Sequence, residues 1–306
     1  MASPSVITID CGGTHLGVGR AAGITLKDVR TVPAPDRLED LIPAILDLTD
    51  PGGATAIGIA VAGLVDADRG RLLWMPHRGG GPIDLAATLG VETGLPVVVD
   101  NDANLAALAE AVAGAGTGYR MVLMVTVGTG IGGGLVIDGG IERGRGHLGE
   151  IGHLPVDRSG PRCGCGLFGC WETFASGKAL DRVAGLLVDS DPGGPLAVRI
   201  VGRRPLGADL VEAAAGGDRA AAAAIDEVAA ALGRGLGGLV AVFDPDVVVI
   251  GGGVGAIGEP VLGPARAAMA SAIPGREHRR PTPVLGARFG VDAGLVGAAM
   301  AAASAR

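Results

Sequence analysis

What most constrains the fold of this chain is a recurrence of short apolar runs, at residues 6–9, 56–61, 97–99, 121–127, 135–137 and 247–250. Runs this short, continuous and rich in Val and Ile are what strands buried on both faces require. Between them, residues 38–48, 105–113, 179–187 and 220–242 space apolar side chains three and four apart among good helix formers. Strands alternating with helices predict an α/β protein. The 306 residues suffice for one large domain or two of about 150. The run Gly114-Ala115-Gly116-Thr117-Gly118 follows a helix and precedes a strand, which predicts a domain boundary there. Residues 1–114 are then a small N-terminal α/β domain and 115–292 a large one. The helix-like tail 293–306 is expected to pack back on the first. The chain carries no 20–50-residue repeat, which excludes a solenoid.

Composition excludes several classes. Gly (56 residues) and Pro (19) together make about a quarter of the chain, a share that can accompany disorder. A mean hydropathy of +0.44 excludes disorder, so the glycines serve turns, caps and close backbone approaches. A net charge of −7 without a basic cluster argues against nucleic acid as a partner. No run of apolar residues is long enough for a membrane span, and residues 1–5 lead into a strand without a signal-peptide pattern. Three of the four cysteines, Cys163, Cys165 and Cys170, crowd together, whereas Cys11 lies far away. That spacing suits a metal site in a reducing cytoplasm better than a disulfide framework.

Two loops place Gly and Thr directly after an apolar strand: Asp10-Cys11-Gly12-Gly13-Thr14 and Gly128-Thr129-Gly130-Ile131-Gly132-Gly133-Gly134. Glycine lets backbone N–H groups approach a phosphate, a Thr hydroxyl adds a donor, and a strand-end Asp can hold a magnesium-bound water. Either loop alone reads equally as a hairpin turn; the pair suggests a duplicated nucleotide clamp. Gly251-Gly252-Gly253 closes the strand at 247–250, where an adenosine could lie against backbone. Asp100-Asn101-Asp102-Ala103-Asn104 sets four polar residues between a buried strand and a helix, the end of an open α/β sheet at which ligands bind. One such residue is an ordinary helix cap; four exceed that need. Asp102 suits a general base, and Asn101 and Asn104 suit a polyol. The sharpest cluster is Glu150-Ile151-Gly152-His153 followed by Cys163-Gly164-Cys165-Gly166-Leu167-Phe168-Gly169-Cys170-Trp171-Glu172. His153 and the three thiolates match a closed structural zinc site, flanked by Glu150 and Glu172, whose carboxylates suit sugar hydroxyls. His77 is a weaker site candidate.

In this order, these motifs resemble the ROK family of sugar kinases and sugar-responsive repressors. The run from Cys163 to Leu180 is most similar to that of actinobacterial-type glucokinases. The resemblance implies a two-domain, actin-like (ribonuclease H-like) ATPase fold with an interdomain cleft. It implies ATP with Mg²⁺ at Asp10, Gly12, Gly13, Thr14, Gly128, Thr129, Gly130, Gly252 and Gly253. Asp102 would be the catalytic base, with Gly63, Asn101, Glu150, His153 and Glu172 on the sugar. Zn²⁺ would sit on His153, Cys163, Cys165 and Cys170. The implied reaction is phosphorylation of a hexose at O6, glucose first, with fructose, mannose and the N-acetylhexosamines as alternatives, in a cytoplasmic homodimer or tetramer. The repressors carry an extra N-terminal DNA-binding domain, whereas the first phosphate motif here begins at Asp10, so a kinase is expected rather than a regulator. There are two departures. His15 stands where many members have Lys or Arg, and the run after His77, Arg78-Gly79-Gly80-Gly81, lacks their Trp.

Overall fold

The computed structural model describes residues 5–75, 78, 80–200 and 202–304. β1 (Ser5–Cys11) and β2 (His15–Ala22) form a hairpin, and β3 (Thr25–Pro33) pairs antiparallel to β2. A 3₁₀ turn at Leu38–Asp40 leads into α1 (Leu41–Leu48). β4 (Ala54–Val61) then lies parallel to β1. A small antiparallel pair, β5 (Leu64–Asp66) and β6 (Arg71–Trp74), and α2 (Leu85–Thr93) precede β7 (Val97–Asn101), which joins parallel to β4. The sheet order is β3-β2-β1-β4-β7. Its central strands bury both faces: Ile7, Ile9, Ile57, Ile59 and Val99 form one core with Leu41, Ile45, Leu85 and Leu89 of α1 and α2. β3, at the edge, is almost wholly exposed and carries Lys27, Asp28 and Arg30, charges that discourage edge pairing.

α3 (Asp102–Ala113) starts directly at the end of β7. A second sheet has β8 (Met121–Val127) at its centre, β9 (Ile131–Ile137) and β10 (Gly140–Glu142) on one side, and β11 (Val247–Gly251) and β12 (Val284–Gly286) on the other. The order β10-β9-β8-β11-β12 repeats that of the first sheet, with a hairpin side (β9 and β10 antiparallel) and a parallel side (β11 and β12). The intervening helices are α4 (Glu172–Ala175), α5 (Gly177–Ser190), α6 (Pro195–Arg199), α7 (Gly207–Ala215), α8 (Arg219–Phe243), α9 (Gly252–Gly255) and α10 (Glu259–Ala272), with α11 (Ala293–Ser304) at the end. Asp218 caps α8, accepting from the N–H groups of Ala220 (2.9 Å) and Ala221 (3.2 Å). The buried stripe Ile225, Val228, Leu232, Leu236 and Val240 has the spacing of one helix face, and α8 packs against α10, α7 and α5.

The chain forms two compact units. One is Met1–Met124, Gly133–Gly149 and Val291–Arg306; the other is Val125–Gly132 and Glu150–Gly290. This division differs from the boundary expected at 114/115, for a local reason. The Gly114–118 run is not a linker but a turn folded onto α3, where the buried Glu110 carboxylate accepts from Ala115 N (2.8 Å) and the Glu110 carbonyl accepts from Gly116 N (2.9 Å). Gly134, in turn, lies directly on Ala103 and Ala107 of α3, which keeps 133–149 with the first unit. α11 rests on α3, β4 and β1, and the buried Thr8 hydroxyl donates to the Leu295 carbonyl. Among the described residues, no helix is long and apolar enough to cross a membrane.

Candidate active site and metal centre

In the first unit the candidate residues gather at the ends of β1, β4 and β7. Gly12, Gly13 and Thr14 are the turn between β1 and β2, closed by Gly12 N donating to the His15 carbonyl (3.0 Å). The Thr14 hydroxyl lies 2.8 Å from His15 Nδ1, and Gly13 and Thr14 are exposed. Arg78 donates to the Gly13 carbonyl (3.0 Å), so a cation reaches this turn beside His15. Asp10, next to last in β1, lies within electrostatic reach of Asp102 and Asp292. Burial first, then these two carboxylates, push its pKa up to about 7. A carboxylate at this strand end suits a hard, oxygen-loving cation such as Mg²⁺, held through its water shell.

Asn101 caps α3, its Oδ1 accepting from Ala103 N (2.9 Å) and Asn104 N (3.2 Å), while its Nδ2 donates to the Gly63 carbonyl (3.1 Å). Gly63, at φ 125°, passes so close to the Trp74 carbonyl that a Cβ would stand 2.2 Å from its oxygen. Only glycine fits there. Asp102 is the first residue of α3, and its carboxylate accepts from Ala103 N (2.9 Å). Burial raises its pKa, against the lowering effect of that bond and of the one with Asn101. A more basic carboxylate held on a helix's first turn is equipped to take a proton.

In the second unit Gly128, Thr129 and Gly130 make the turn between β8 and β9, closed by Gly128 N donating to the Gly130 carbonyl (3.0 Å). Two ties reach this turn from the segment after Cys170. Gly177 N donates to the Gly128 carbonyl (2.7 Å), and Glu172 Oε2 accepts from Ile131 N (3.3 Å). Gly252, at φ 76°, would place a Cβ 2.5 Å from the Val127 carbonyl oxygen, so it must be glycine for β11 to end against β8. Gly253 beside it is open and exposed.

The metal candidates converge. One ligand atom from each of His153, Cys163, Cys165 and Cys170 lies within 4.8 Å of all the others. The Cys163 sulfur is 3.5 Å from His153 Nδ1, and the sulfurs of Cys165 and Cys170 are 3.6 Å apart. Tetrahedral Zn²⁺ with ordinary bond lengths requires N···S and S···S edges of about 3.6 and 3.8 Å, so the donor set fits zinc. The backbone arranges this with a tight turn (Gly166 N to the Cys163 carbonyl, 3.1 Å) and bridges pairing Arg162 with Phe168 and Pro155 with Cys170. Buried Trp171, whose indole N–H donates to the Ala231 carbonyl of α8 (3.0 Å), anchors the loop to the core. Glu172 Oε1 lies 3.0 Å from the Cys163 sulfur and 3.7 Å from His153 Nδ1, while Glu150 is 3.8 Å from His153 Nε2. Nδ1 thus faces the cluster and Nε2 is left toward Glu150.

The structure therefore brings Asp10, Gly63, Asn101 and Asp102 together in one unit, and His153, the cysteines, Glu172 and the Gly128 turn in the other. His77 and Gly79 lie outside the described residues. Sequence reasoning did not single out Arg78, Asp292 or Arg143. The first two lie far in the sequence from the carbonyl and carboxylate they meet, and Arg143 is hidden in the arginine- and glycine-rich run 143–146.

The ROK family profile matches residues 6–305. A glucokinase of Streptomyces coelicolor is 34% identical over 307 residues, covering 96% of each chain. An N-acetylmannosamine kinase of Escherichia coli is 36% identical over 307 residues, covering 97% of this chain and 98% of its own. Among solved structures, a ROK family glucokinase from Streptomyces griseus, in complex with glucose and AMPPNP, superposes with a TM-score of 0.89 at 38% identity, covering 97% of this chain and 99% of that one. With a profile match along nearly its whole length and relatives of this similarity, the chain belongs to the ROK family and has its two-domain, actin-like ATPase fold.

Proposed function

We propose that this protein is an ATP-dependent hexose kinase that transfers the γ-phosphoryl group to O6 of a hexose, with glucose as the first candidate substrate. The glucokinase relatives support the reaction class. The observation that carries the residue assignment is the Asp102 carboxylate, fixed at the first turn of α3, made more basic by burial, and flanked by a capping Asn101. Phosphoryl transfer needs an oriented hydroxyl, a base within about 3 Å of it, and donors around the moving group. Asp102 would take the O6 proton. Asn101, Gly63, Glu150, His153 and Glu172 would orient the sugar, and the Gly12–14 and Gly128–130 turns would offer N–H groups to the phosphates. Asp10 would hold the Mg²⁺ that comes with ATP, and that ion would supply charge neutralisation at the transferring group. Zn²⁺ at His153, Cys163, Cys165 and Cys170 would be structural: those residues form a closed set, which fixes the ring of His153 and leaves Nε2 for a hydroxyl.

The test combines a panel with a variant. ATP consumption is measured over hexoses and N-acetylhexosamines, the latter because an N-acetylmannosamine kinase is among the relatives. Glucose is expected to give the highest kcat/KM. Asp102→Ala is expected to lower kcat by about 10²–10⁴-fold while sugar binding, read by calorimetry, largely survives. Near-normal turnover in that variant removes Asp102 from the role.

A further inference from the structure

Directly before the proposed catalytic turn lies an ion pair with a buried carboxylate that the mechanism above does not use. Asp100, next to last in β7, has its side chain only 3% exposed. Its two oxygens divide their partners. Oδ2 accepts from Arg143 Nε (2.9 Å) and Nη2 (2.6 Å). Oδ1 accepts from Asn101 N (2.7 Å) and Asn104 Nδ2 (3.1 Å). A carboxylate in this setting is stable only when fully hydrogen-bonded, and here four N–H donors surround it. Removing the guanidinium would leave a buried charge with half of its partners.

Asp100 spends its second oxygen on the two residues that frame Asp102. Asn101 N is held by Asp100, and the Asn101 side chain caps the N–H groups of Ala103 and Asn104. Asn104 closes the circuit by donating back to Asp100. The Asp102 backbone therefore sits inside a ring of bonds whose outer anchor is Arg143, a residue 43 positions from Asp100 and just beyond β10. The Arg143 carbonyl also receives Gly146 N (2.7 Å) and Leu148 N (3.2 Å), so the clamp is built on a closed loop rather than a free arm.

We infer that Arg143 is a positioning residue: through Asp100 it fixes the Asn101–Asn104 turn and so aims the Asp102 carboxylate at its proton. This inference rests on Asp102 being the base. A sub-ångström misplacement of a general base lowers the chemical step more than it lowers ground-state binding. A guanidinium that only supported the fold would instead change stability and leave kcat of the folded enzyme alone.

The test is steady-state kinetics of Arg143→Met and Arg143→Ala, alone and combined with Asp102→Asn, on protein shown to be folded by circular dichroism at the assay temperature. Arg143→Met is expected to lower kcat about 10–100-fold, with sugar Kd within about threefold of wild type. In Arg143→Ala, free guanidinium ion is expected to restore part of kcat, since the Arg143 side chain is 40% exposed and the vacated place opens to solvent. On the Asp102→Asn background Arg143→Met is expected to cost nothing further, because both act on one step. If Arg143→Met is too unstable to assay, Asp100→Asn with Arg143→Met removes the unpaired charge, and kcat is expected to stay at least about fivefold low. Wild-type kcat in folded Arg143→Met, or in that neutral pair, overturns the positioning role while Asp102 stands if Asp102→Asn is inactive. Turnover persisting in Asp102→Asn removes the base and this inference with it.

Discussion

Asp10 should make the free protein less stable than it would be with a neutral side chain, and Asp10→Asn measures by how much. Its pKa is pushed from the ordinary carboxylate value of 3.8 up to about 7 by burial and by the Asp102 and Asp292 carboxylates. The folded state therefore binds the Asp10 proton more tightly than the unfolded state. Stability is fully present below about pH 4 and is lost as pH rises toward about 7, at up to 1.4 kcal/mol per pH unit. Above pH 7 the accumulated loss reaches at most about 4 kcal/mol, less where water relaxes around the group. An Asn of the same shape carries no charge at any pH. Asp10→Asn is expected to melt higher than wild type at pH 8, by about 2–4 °C per kcal/mol recovered, and to match it near pH 4.

The assay is thermal unfolding of both proteins between pH 4 and 8, without Mg²⁺ or nucleotide. Adding Mg²⁺ with AMPPNP should narrow the gap at pH 8, because a bound cation supplies to wild type the counter-charge that Asn does not need. Turnover of Asp10→Asn should fall, making this a site where stability is given up for function. A melting difference that is the same at pH 4 and pH 8, or a variant less stable than wild type at pH 8, would refute the reasoning.

Other outcomes are as definite. Protein purified without chelators should carry about one zinc per chain, and Cys165→Ser should lose the metal together with several degrees of thermal stability; stoichiometric zinc retained by the variant would contradict a four-ligand site. Gly252→Ala places a Cβ 2.5 Å from the Val127 carbonyl oxygen at φ 76°, and should cost about 1–3 kcal/mol in a denaturant melt; a neutral result would mean the β11 end has room that the structure does not give it.

The parts of the fold that could be read from the sequence share one physical cause. β1, β4, β8 and β11 are buried along most of their length and β7 in part, so most of their side chains had to be apolar, with Thr8 and Asp100 as hydrogen-bonded exceptions. β3, in contrast, is an exposed edge whose Lys27-Asp28 and Arg30 break any strand pattern, and β2 is interrupted by Gly17, Gly19 and Arg20. α10 was hidden by Pro260 and Pro264, residues that usually mark loops but here sit at the helix start and inside it. The metal cluster was legible because ligand chemistry and close spacing coincide in eight consecutive residues. The Arg143–Asp100 pair was not, because nothing local ties an arginine after β10 to an aspartate at the end of β7. Only α3, which packs against both β7 and β10, sets those two chain segments near one another and makes them partners.

The glycine-rich metal loop raises an energetic question that its side chains cannot answer. Gly164, Cys165, Gly166, Leu167 and Phe168 are all exposed, so little apolar burial compensates for ordering the run from Cys163 to Cys170. Fixing a backbone costs about 1–2 kcal/mol per residue, or about 8–16 kcal/mol for that run, and glycine stands at the high end. Structural zinc on Cys and His ligands returns about 10–16 kcal/mol, a sum that matches the cost without help from a core. The same segment then continues through buried Trp171 to Glu172 and Gly177, which hold Ile131 N and the Gly128 carbonyl. A loop that zinc would order is therefore joined, through fewer than ten residues, to the turn proposed to hold a phosphate. Zinc bound at the cysteines would therefore also fix His153, Glu172 and the Gly128–130 turn, adding to the packing of buried Trp171 a rigidity that comes from coordination.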